Sequence, residues 1–295
     1  FEFTGKKKHL LKAYACMWEF GGVDHRNVPM LYLGLRGICY VELSVETAAT
    51  DVQSGLGGSI FPNAAWRLVW ALSTLKGEDE RIRIPGFYDG IQTPSARDRE
   101  MFEALPDVAE EYKSRYGVKQ FIKGLTDGIE LKMEEVFTPT CTICGLTSGY
   151  QGPGSKTVLP ARASAKVDFR LVPDQHPDDI LKKLRAHLDA EGFSDVQITD
   201  LGGDPPAPTD PDEPFIRPVA RTSEEVYETP MQLVPMVGGS GPSYPFVHDL
   251  KLPVATAGLG YPDTRAHAPN ENIRVDLYLK HARHMARILK EFPAE

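Results

Sequence analysis

What the sequence has little of narrows the possibilities before any motif is read. Cysteine is scarce: Cys16, Cys39, Cys141 and Cys144 are the only four in 295 residues. Thiols so few and so spread build no disulfide framework, and a cytoplasmic, reducing setting is expected. Positive charge is also short. Lys and Arg number 33 against 41 Asp and Glu, a net charge of -8 with His neutral, which argues against nucleic acid as a partner because phosphate binding needs a concentrated basic surface. No apolar run reaches the roughly 18 residues of a membrane span, so no membrane partner is expected. The opening FEFTGKKKHLLKAY has too short an apolar run to be a secretory signal. The one CxxC, Cys141 to Cys144, lacks the second pair that a structural zinc site of four ligands would need. It lies in a strand-like run, TPTCTICGL, rather than at a helix start where a thiolate is stabilised, so both thiols are expected to be buried or half-buried and unreactive.

What is present reads as a globular α/β chain. AYACMWE forms a short strand that ends in the carboxylate of Glu19 before the turn Gly21–Gly22. Residues 30–46 carry strand character with partial alternation from Ile38 to Val45. Pro62 opens a helix whose Trp66, Val69 and Trp70 fall at helical spacing, and the two tryptophans are expected in the core. Residues 77–136 are charged and irregular, with short helices near 96–104 and 107–116. A strand from Arg162 to Val172 puts Ala163, Ala165, Val167, Phe169 and Leu171 on one face. A helix over 177–190 collects Ile180, Leu181, Leu184 and Leu188 on one side, and a short strand follows at 196–199. The proline-rich stretch LGGDPPAPTDPDEP, 201–214, is expected to be an irregular linker and domain boundary. Beyond it come a helix over 215–228, strands at 232–237 and 252–258, and a final amphipathic helix over 272–290, where His281 and His284 are expected to pack at the surface or boundary.

Three segments could carry chemistry. His267 lies in GLGYPDTRAHAPNENI, between a strand and a helix, where open α/β sheets bind ligands; its imidazole suits a divalent metal. Glu19, at a strand end beside flexible glycines, is a second metal-type donor. The run Gly239, Ser240, Gly241 follows a strand and can turn backbone N–H groups toward an anion such as a carboxylate.

Several of these segments together resemble one family. GLRGICYVELSV, DVQSGLGGSIFPNAAWRLVWALSTLK, IPGFYDGI, GLTSGYQGPGSKTVLPARASAKVDFRLVPDQHP, GGSGP and AHAPNENI are similar, in order, to segments of the M20 metallopeptidases. That group comprises zinc dipeptidases, acetylornithine deacetylases, succinyl-diaminopimelate desuccinylases and aminoacylases, and the likeness is strongest to the carnosinase-like dipeptidase branch. The resemblance implies an α/β zinc-peptidase catalytic domain, here partial, with an inserted α+β lid that mediates dimerisation. Residues 1–35 would be a remnant of the catalytic domain, 36–205 the lid, and 206–295 the C-terminal part of the catalytic domain. The resemblance further implies two zinc ions per chain in the intact enzyme, bound in part by Glu19 and His267. Gly239, Ser240 and Gly241 would line the substrate pocket, and Asn270 and Glu271 would orient the His267 loop. The implied activity is hydrolysis of the amide bond of a dipeptide or N-acyl amino acid by a homodimer; the alternative is an inactive homologue or fragment serving as a dimerisation module. Two departures bear on that choice. The family's His-x-Asp motif and its Glu-Glu pair belong upstream of the Glu19 position, and neither precedes Glu19 here. In Asp51-Val52-Gln53-Ser54-Gly55, Gln53 stands in the place of the family's lid histidine and can donate a hydrogen bond but carries no charge.

Overall fold

Two four-stranded sheets, different in construction, organise the residues described by the computed structural model, 2–291. The chain enters through α1 (Glu2–Lys7) and β1 (Cys16–Trp18), then runs through β2 (Met30–Tyr32), β3 (Gly34–Leu35) and the long β4 (Gly37–Glu46). The short β5 (Val52–Gln53), α2 (Ser54–Gly57) and α3 (Ala64–Ser73) follow. Next come α4 (Ala96–Glu103), α5 (Ala109–Tyr116) and α6 (Gly128–Phe137), then β6 (Thr140–Ser148), β7 (Val158–Leu159), β8 (Arg162–Leu171), α7 (Pro177–Ala190) and β9 (Gln197–Asp204). The last elements are β10 (Ala207–Pro208), α8 (Ile216–Tyr227), β11 (Gln232–Val234), β12 (Val254–Thr256) and α9 (Val275–Glu291). Among the described residues no helix is long and apolar enough to cross a membrane.

The larger sheet has the order β6-β8-β4-β9 and is antiparallel throughout. With α3 and α7 inserted between its strands it has the β-α-β-β-α-β connectivity. β4 pairs β8 without interruption from Gly37 opposite Leu171 to Glu46 opposite Arg162. Because side chains alternate, Cys39, Val41, Leu43 and Val45 of β4 share one face with Ala163, Ala165, Val167, Phe169 and Leu171 of β8. Leu68 of α3 and Ile180, Leu184 and Leu188 of α7 cover that face and are fully buried. The opposite face is polar: Glu42 stands across from Lys166, and Arg162 Nη2 donates to Glu46 at 2.9 Å. Local sequence starts each helix. The Asn63 side chain accepts the Trp66 N–H at 3.2 Å, capping α3. Pro177 and the acidic pair Asp178 and Asp179 suit the first turn of α7.

The smaller sheet has the order β1-β12-β2-β11, each strand three residues long, with β1 parallel to β12, β12 antiparallel to β2, and β11 parallel to β2. It joins residues from both ends of the chain. One face is covered by α8 and α9, where Ile216, Val219 and Ile288 pack on Leu31 and Ala255. Against Met30, Val234 and Met236 lie Phe102 and Val136, from α4 and α6. The irregular stretch after α3 therefore departs from the larger sheet and roofs the smaller one. Buried Arg36 ties the two layers together. Its guanidinium donates to the Glu135 carbonyl, to the Thr138 carbonyl at 2.7 Å and to the Arg170 carbonyl at 3.3 Å, satisfying carbonyls at the C-terminal end of α6 that the helix itself leaves unpaired. Burial, then the nearby Arg170 charge, lowers the Arg36 pKa to about 10.

Several expectations change. Trp66 and Trp70 are not core residues: they stack at 5.9 Å on the outer face of α3, 57% and 53% exposed. Helical spacing locates them on one stripe but cannot say whether that stripe faces the sheet, and Leu68 and Ala71 take the inward positions instead. The region 201–214 is less irregular than its prolines suggest. β9 continues through Asp204, helped by Gly202 at φ 109°, and Ala207–Pro208 pairs with Gly34–Leu35. Helix α6 has no counterpart in the sequence reading. Of the CxxC pair, Cys141 is buried as expected, with its thiol pKa pushed up to about 12 by burial. Cys144 is exposed: three positions on, it falls on the opposite, polar face of β6, where its Sγ lies 3.5 Å from Asp168 Oδ2.

Candidate functional site

A cavity of about 860 Å³ opens where β1 and β12 end, in the size range of small-ligand sites. Being parallel, these strands send their carboxyl ends the same way, and ligands of α/β sheets gather outside such ends. Glu19 and Phe20 follow β1 directly. The loop after β12 closes back on them: Gly22 pairs with Gly260, the Gly260 N–H donates to the Gly21 carbonyl at 2.8 Å, and the Val23 N–H donates to the Gly260 carbonyl at 3.0 Å. Only glycine fits at this crossing. Gly21 has φ 90°, and a Cβ there would come within 2.6 Å of the Tyr32 ring.

Glu19 lines the cavity together with Ala266, Ala268 and Glu271. His267 is thus carried on a loop that reaches the same cavity, though its own side chain is outside the lining set. The loop is held in an unusual backbone: Arg265, His267 and Asn270 all have positive φ, at 55°, 61° and 64°. Such strain in non-glycine residues persists only where surrounding contacts enforce it, and it concentrates at functional sites. Asn270 was expected to orient the loop, but the residue that does most of this is Asn272. Its Nδ2 donates to the carbonyls of Asp263 (3.1 Å) and Asn270 (3.0 Å), its oxygen accepts from the Tyr261 hydroxyl, and its backbone exchanges hydrogen bonds with Thr264. The second asparagine of PNEN was a signal for this role.

His281 and His284, expected at the surface or boundary, are buried instead, because α9 packs on α8. His281 is 6% exposed, with Nε2 3.8 Å from a Glu19 carboxylate oxygen and Nδ1 without a partner. Burial lowers its pKa, and the Glu19 charge only partly opposes this. His284, one turn on, bonds the Val219 carbonyl at 2.9 Å through Nε2.

The loop Gly239–Gly241 lies between the two layers. The Arg36 N–H donates to the Gly239 carbonyl at 3.0 Å, and Gly239 sits 3.8 Å, measured from where a Cβ would be, from the Phe20 ring beside Glu19. Ser240 donates from its hydroxyl to the Gly37 carbonyl at 3.0 Å and accepts from Arg170 Nη1 at 3.0 Å. Arg170, on β8, was not singled out from the sequence; it falls on the polar face of the strand with Lys166 and Asp168, opposite the packing face. The far wall of the cavity comes from α5 and α6 and includes Tyr112, Arg115 and Lys132.

Gln53 stands apart. Its side-chain oxygen accepts the Leu56 N–H at 2.8 Å, capping α2, and it is absent from the lining of this cavity. Two His-x-Asp strings do occur downstream, at His176–Asp178 and His187–Asp189, but both belong to α7 and its N-cap on the larger sheet. There His187 Nε2 contacts the Thr74 carbonyl at 3.1 Å. Among the described residues no group of three or more His, Cys, Asp or Glu side chains is gathered so as to hold a metal. A catalytic zinc takes three protein ligands, so the donors this chain brings together do not by themselves fit a metal centre.

Comparison with known proteins fits this architecture. The M20 peptidase dimerisation domain matches residues 33–196. The Cys-Gly metallodipeptidase of Schizosaccharomyces pombe is 26% identical over 258 residues, 85% of this chain and 54% of that protein. The beta-Ala-His dipeptidase of Mus musculus is 32% identical over 162 residues, 55% of this chain and 32% of that protein. A solved M20 family metallo-carboxypeptidase from Sulfolobus solfataricus superposes with a TM-score of 0.92 at 33% identity, covering 98% of this chain and 66% of that one. The chain spans about half the length, or less, of these curated relatives.

Proposed function

The chain belongs to the M20 peptidase family, and from that premise we propose that it is the lid-bearing portion of a metal-dependent hydrolase that cleaves the amide bond of a dipeptide or N-acyl amino acid. The observation that carries this reading is the convergence of Glu19 and the His267 loop, from opposite ends of the chain, on one cavity at the carboxyl ends of β1 and β12. In this reading Glu19 and His267 each give one ligand to a pair of zinc ions. The remaining ligands and the general base come from residues outside this chain, so no reaction step is derived through the metal. The metal's part, when bound, is to polarise the scissile carbonyl and activate water.

This chain's own residues bind and orient. Ser240, pinned between the Gly37 carbonyl and Arg170, fixes the Gly239–Gly241 backbone, which is outside the lining of the Glu19 cavity and meets it through the Phe20 ring. Arg170 supplies the positive charge that a substrate carboxylate held at that loop requires. Asn272 keeps the His267 loop closed, and Glu271 stands at the cavity wall. Residues 36–205 act as the lid. Its partner surface is supported by an uncovered apolar group: Trp66, Val69 and Trp70 of α3, with Ile143 and Leu146 on the same side of edge strand β6. A homodimer through this surface would cover them and pair the open strand edge. Gln53, exposed on the lid, would then be offered to the partner's site as an uncharged donor. The four free thiols are in keeping with a cytoplasmic setting.

The test is made on the intact protein. Metal content and hydrolysis of a small panel of dipeptides, with and without chelator, are measured for the wild type, Glu19→Gln and His267→Ala. The expected result is about two zincs per chain, chelator-sensitive dipeptide hydrolysis, and at least a hundredfold loss in either variant. A protein that binds no metal and cleaves none of the dipeptides, yet dimerises, would establish the dimerisation-module alternative.

A further inference from the structure

We propose that Lys132 is a specificity-determining residue that selects substrates carrying an acidic side chain, a role resting on the reading of the cavity as a dipeptide site. Lys132 lies on α6 and is one of the cavity-lining cations, opposite the Glu19 end. An ammonium has three N–H donors. One goes to the Tyr112 hydroxyl at 2.7 Å and one to Glu135 Oε2 at 3.3 Å; the third has no partner among the described residues. The side chain is only 18% exposed, so that third donor is aimed from a low-dielectric wall rather than from open solvent.

The surroundings keep the ammonium charged and fixed. Burial disfavours the charge, but Glu135 and the Tyr112 oxygen outweigh it and hold the Lys132 pKa above its ordinary value. Burial raises the pKa of Tyr112 and takes that of Tyr32 to about 12, so both phenols stay neutral beside it and add no competing negative charge. Arg115, the neighbouring cation on α5, is already paired with the Glu111 carboxylate and set against the Tyr116 ring. Arg265 also lines the cavity, from the His267 loop; Lys132 is the cation held on the helical far wall with one ammonium donor to spare. Its position relative to the backbone-binding loop is defined, since Glu135 Oε1 lies 3.1 Å from the Cβ position of Gly238, just before Gly239–Gly241. A dipeptide bound in this cavity beside Glu19 would have the wall that carries Lys132 across from it. A carboxylate there gains a charge-assisted hydrogen bond; a carboxamide gains a weaker one and a methyl none.

The experiment compares Gly-Glu with Gly-Gln by calorimetric titration of the intact protein under chelator, where no turnover occurs. The wild type is expected to bind Gly-Glu about tenfold more tightly, the ratio that one charge-assisted bond supplies. Lys132→Met should erase the preference and Lys132→Arg should retain part of it. Glu135→Gln, which frees the ammonium of its internal counter-charge, should widen the preference several-fold. Opposite effects of the two substitutions cannot come from a strut between α5 and α6, whose loss would weaken both ligands alike. No preference in the wild type, or a preference that survives Lys132→Met, overturns the assignment. Because binding is read without catalysis, failure of the hydrolase reading shows separately, as absent turnover in metal-loaded protein whose Gly-Glu preference is intact.

Discussion

The two sheets solve the problem of stability in different ways. The larger is built from strands of eight to ten residues, long antiparallel ladders and two dedicated helices. Every part it needs lies in one continuous stretch of chain, and its apolar core is the largest in the molecule. The smaller uses strands of three residues, mixed in direction, brought together from positions 16, 30, 232 and 254, and its edge strand β1 is paired on one side only among the described residues. Short strands with an open edge are poor scaffolds alone. What the smaller sheet has in exchange is the cavity, the strained His267 loop and the buried groups around Glu19. The lesson is a division of labour: one layer is self-sufficient and carries the proposed surface for association, and the other is weakly held and carries the proposed site.

The comparison is broken most severely at the centre of the larger sheet. Phe169 is fully buried and packs on Phe87 with ring centroids 5.7 Å apart. Phe169→Ala should cost about 3–5 kcal/mol, read as a drop in denaturant midpoint, with the whole molecule unfolding because the smaller sheet has no stability of its own to fall back on. A midpoint within experimental error of wild type would refute that dependence.

A change at the proposed lid interface should act on association and leave the fold alone. Trp66→Lys with Trp70→Lys, both on the exposed face of α3, is expected to turn a dimer into a monomer in sedimentation velocity while far-ultraviolet dichroism is unchanged. A double variant that remains dimeric would move the interface elsewhere.

Mild acid should separate the layers by a smaller margin. His281 and His284 are buried against the smaller sheet, and burial lowers the pKa of both. Their folded-state values lie below the unfolded value near 6.5, so the unfolded chain binds more protons in that window. The stability they contribute is complete above about pH 6.5 and lost as the pH falls toward their folded values. The packing of α8 on α9 should therefore loosen between about pH 6.5 and 5 before the larger sheet responds, followed by the near-ultraviolet signal of Tyr227, which stacks edge-on against His284. Simultaneous loss of both layers would count against it.

How much of this the sequence displayed depended on how local the cause was. β8 and α7 were legible to within a residue, because period-two and period-3.6 apolar patterns with a proline start are local signals. Glu19 and the His267 loop were singled out as candidates by the residues that flank them. The long-range contacts around these segments were not. His281, Arg170 and Lys132 each sit on an element whose pattern reads as ordinary helix or strand, and only long-range packing decides which of their neighbours they meet. Helix α6 was hidden for the same reason, since its docking surface, β2 and β11, lies far away in the chain. The tryptophan stripe failed in the converse way: periodicity reveals a face but does not say whether protein or solvent lies beyond it.

Amide hydrogen exchange on the intact protein, with and without a saturating dipeptide under chelator, tests the division of labour most directly. The account predicts that β4 and β8 are the most protected amides in the free protein, that β1 and β12 exchange through smaller openings, and that the dipeptide adds protection in segments 19–23, 105–116 and 258–271. Equal protection of the two sheets, or added protection confined to α3 and α7, would contradict it.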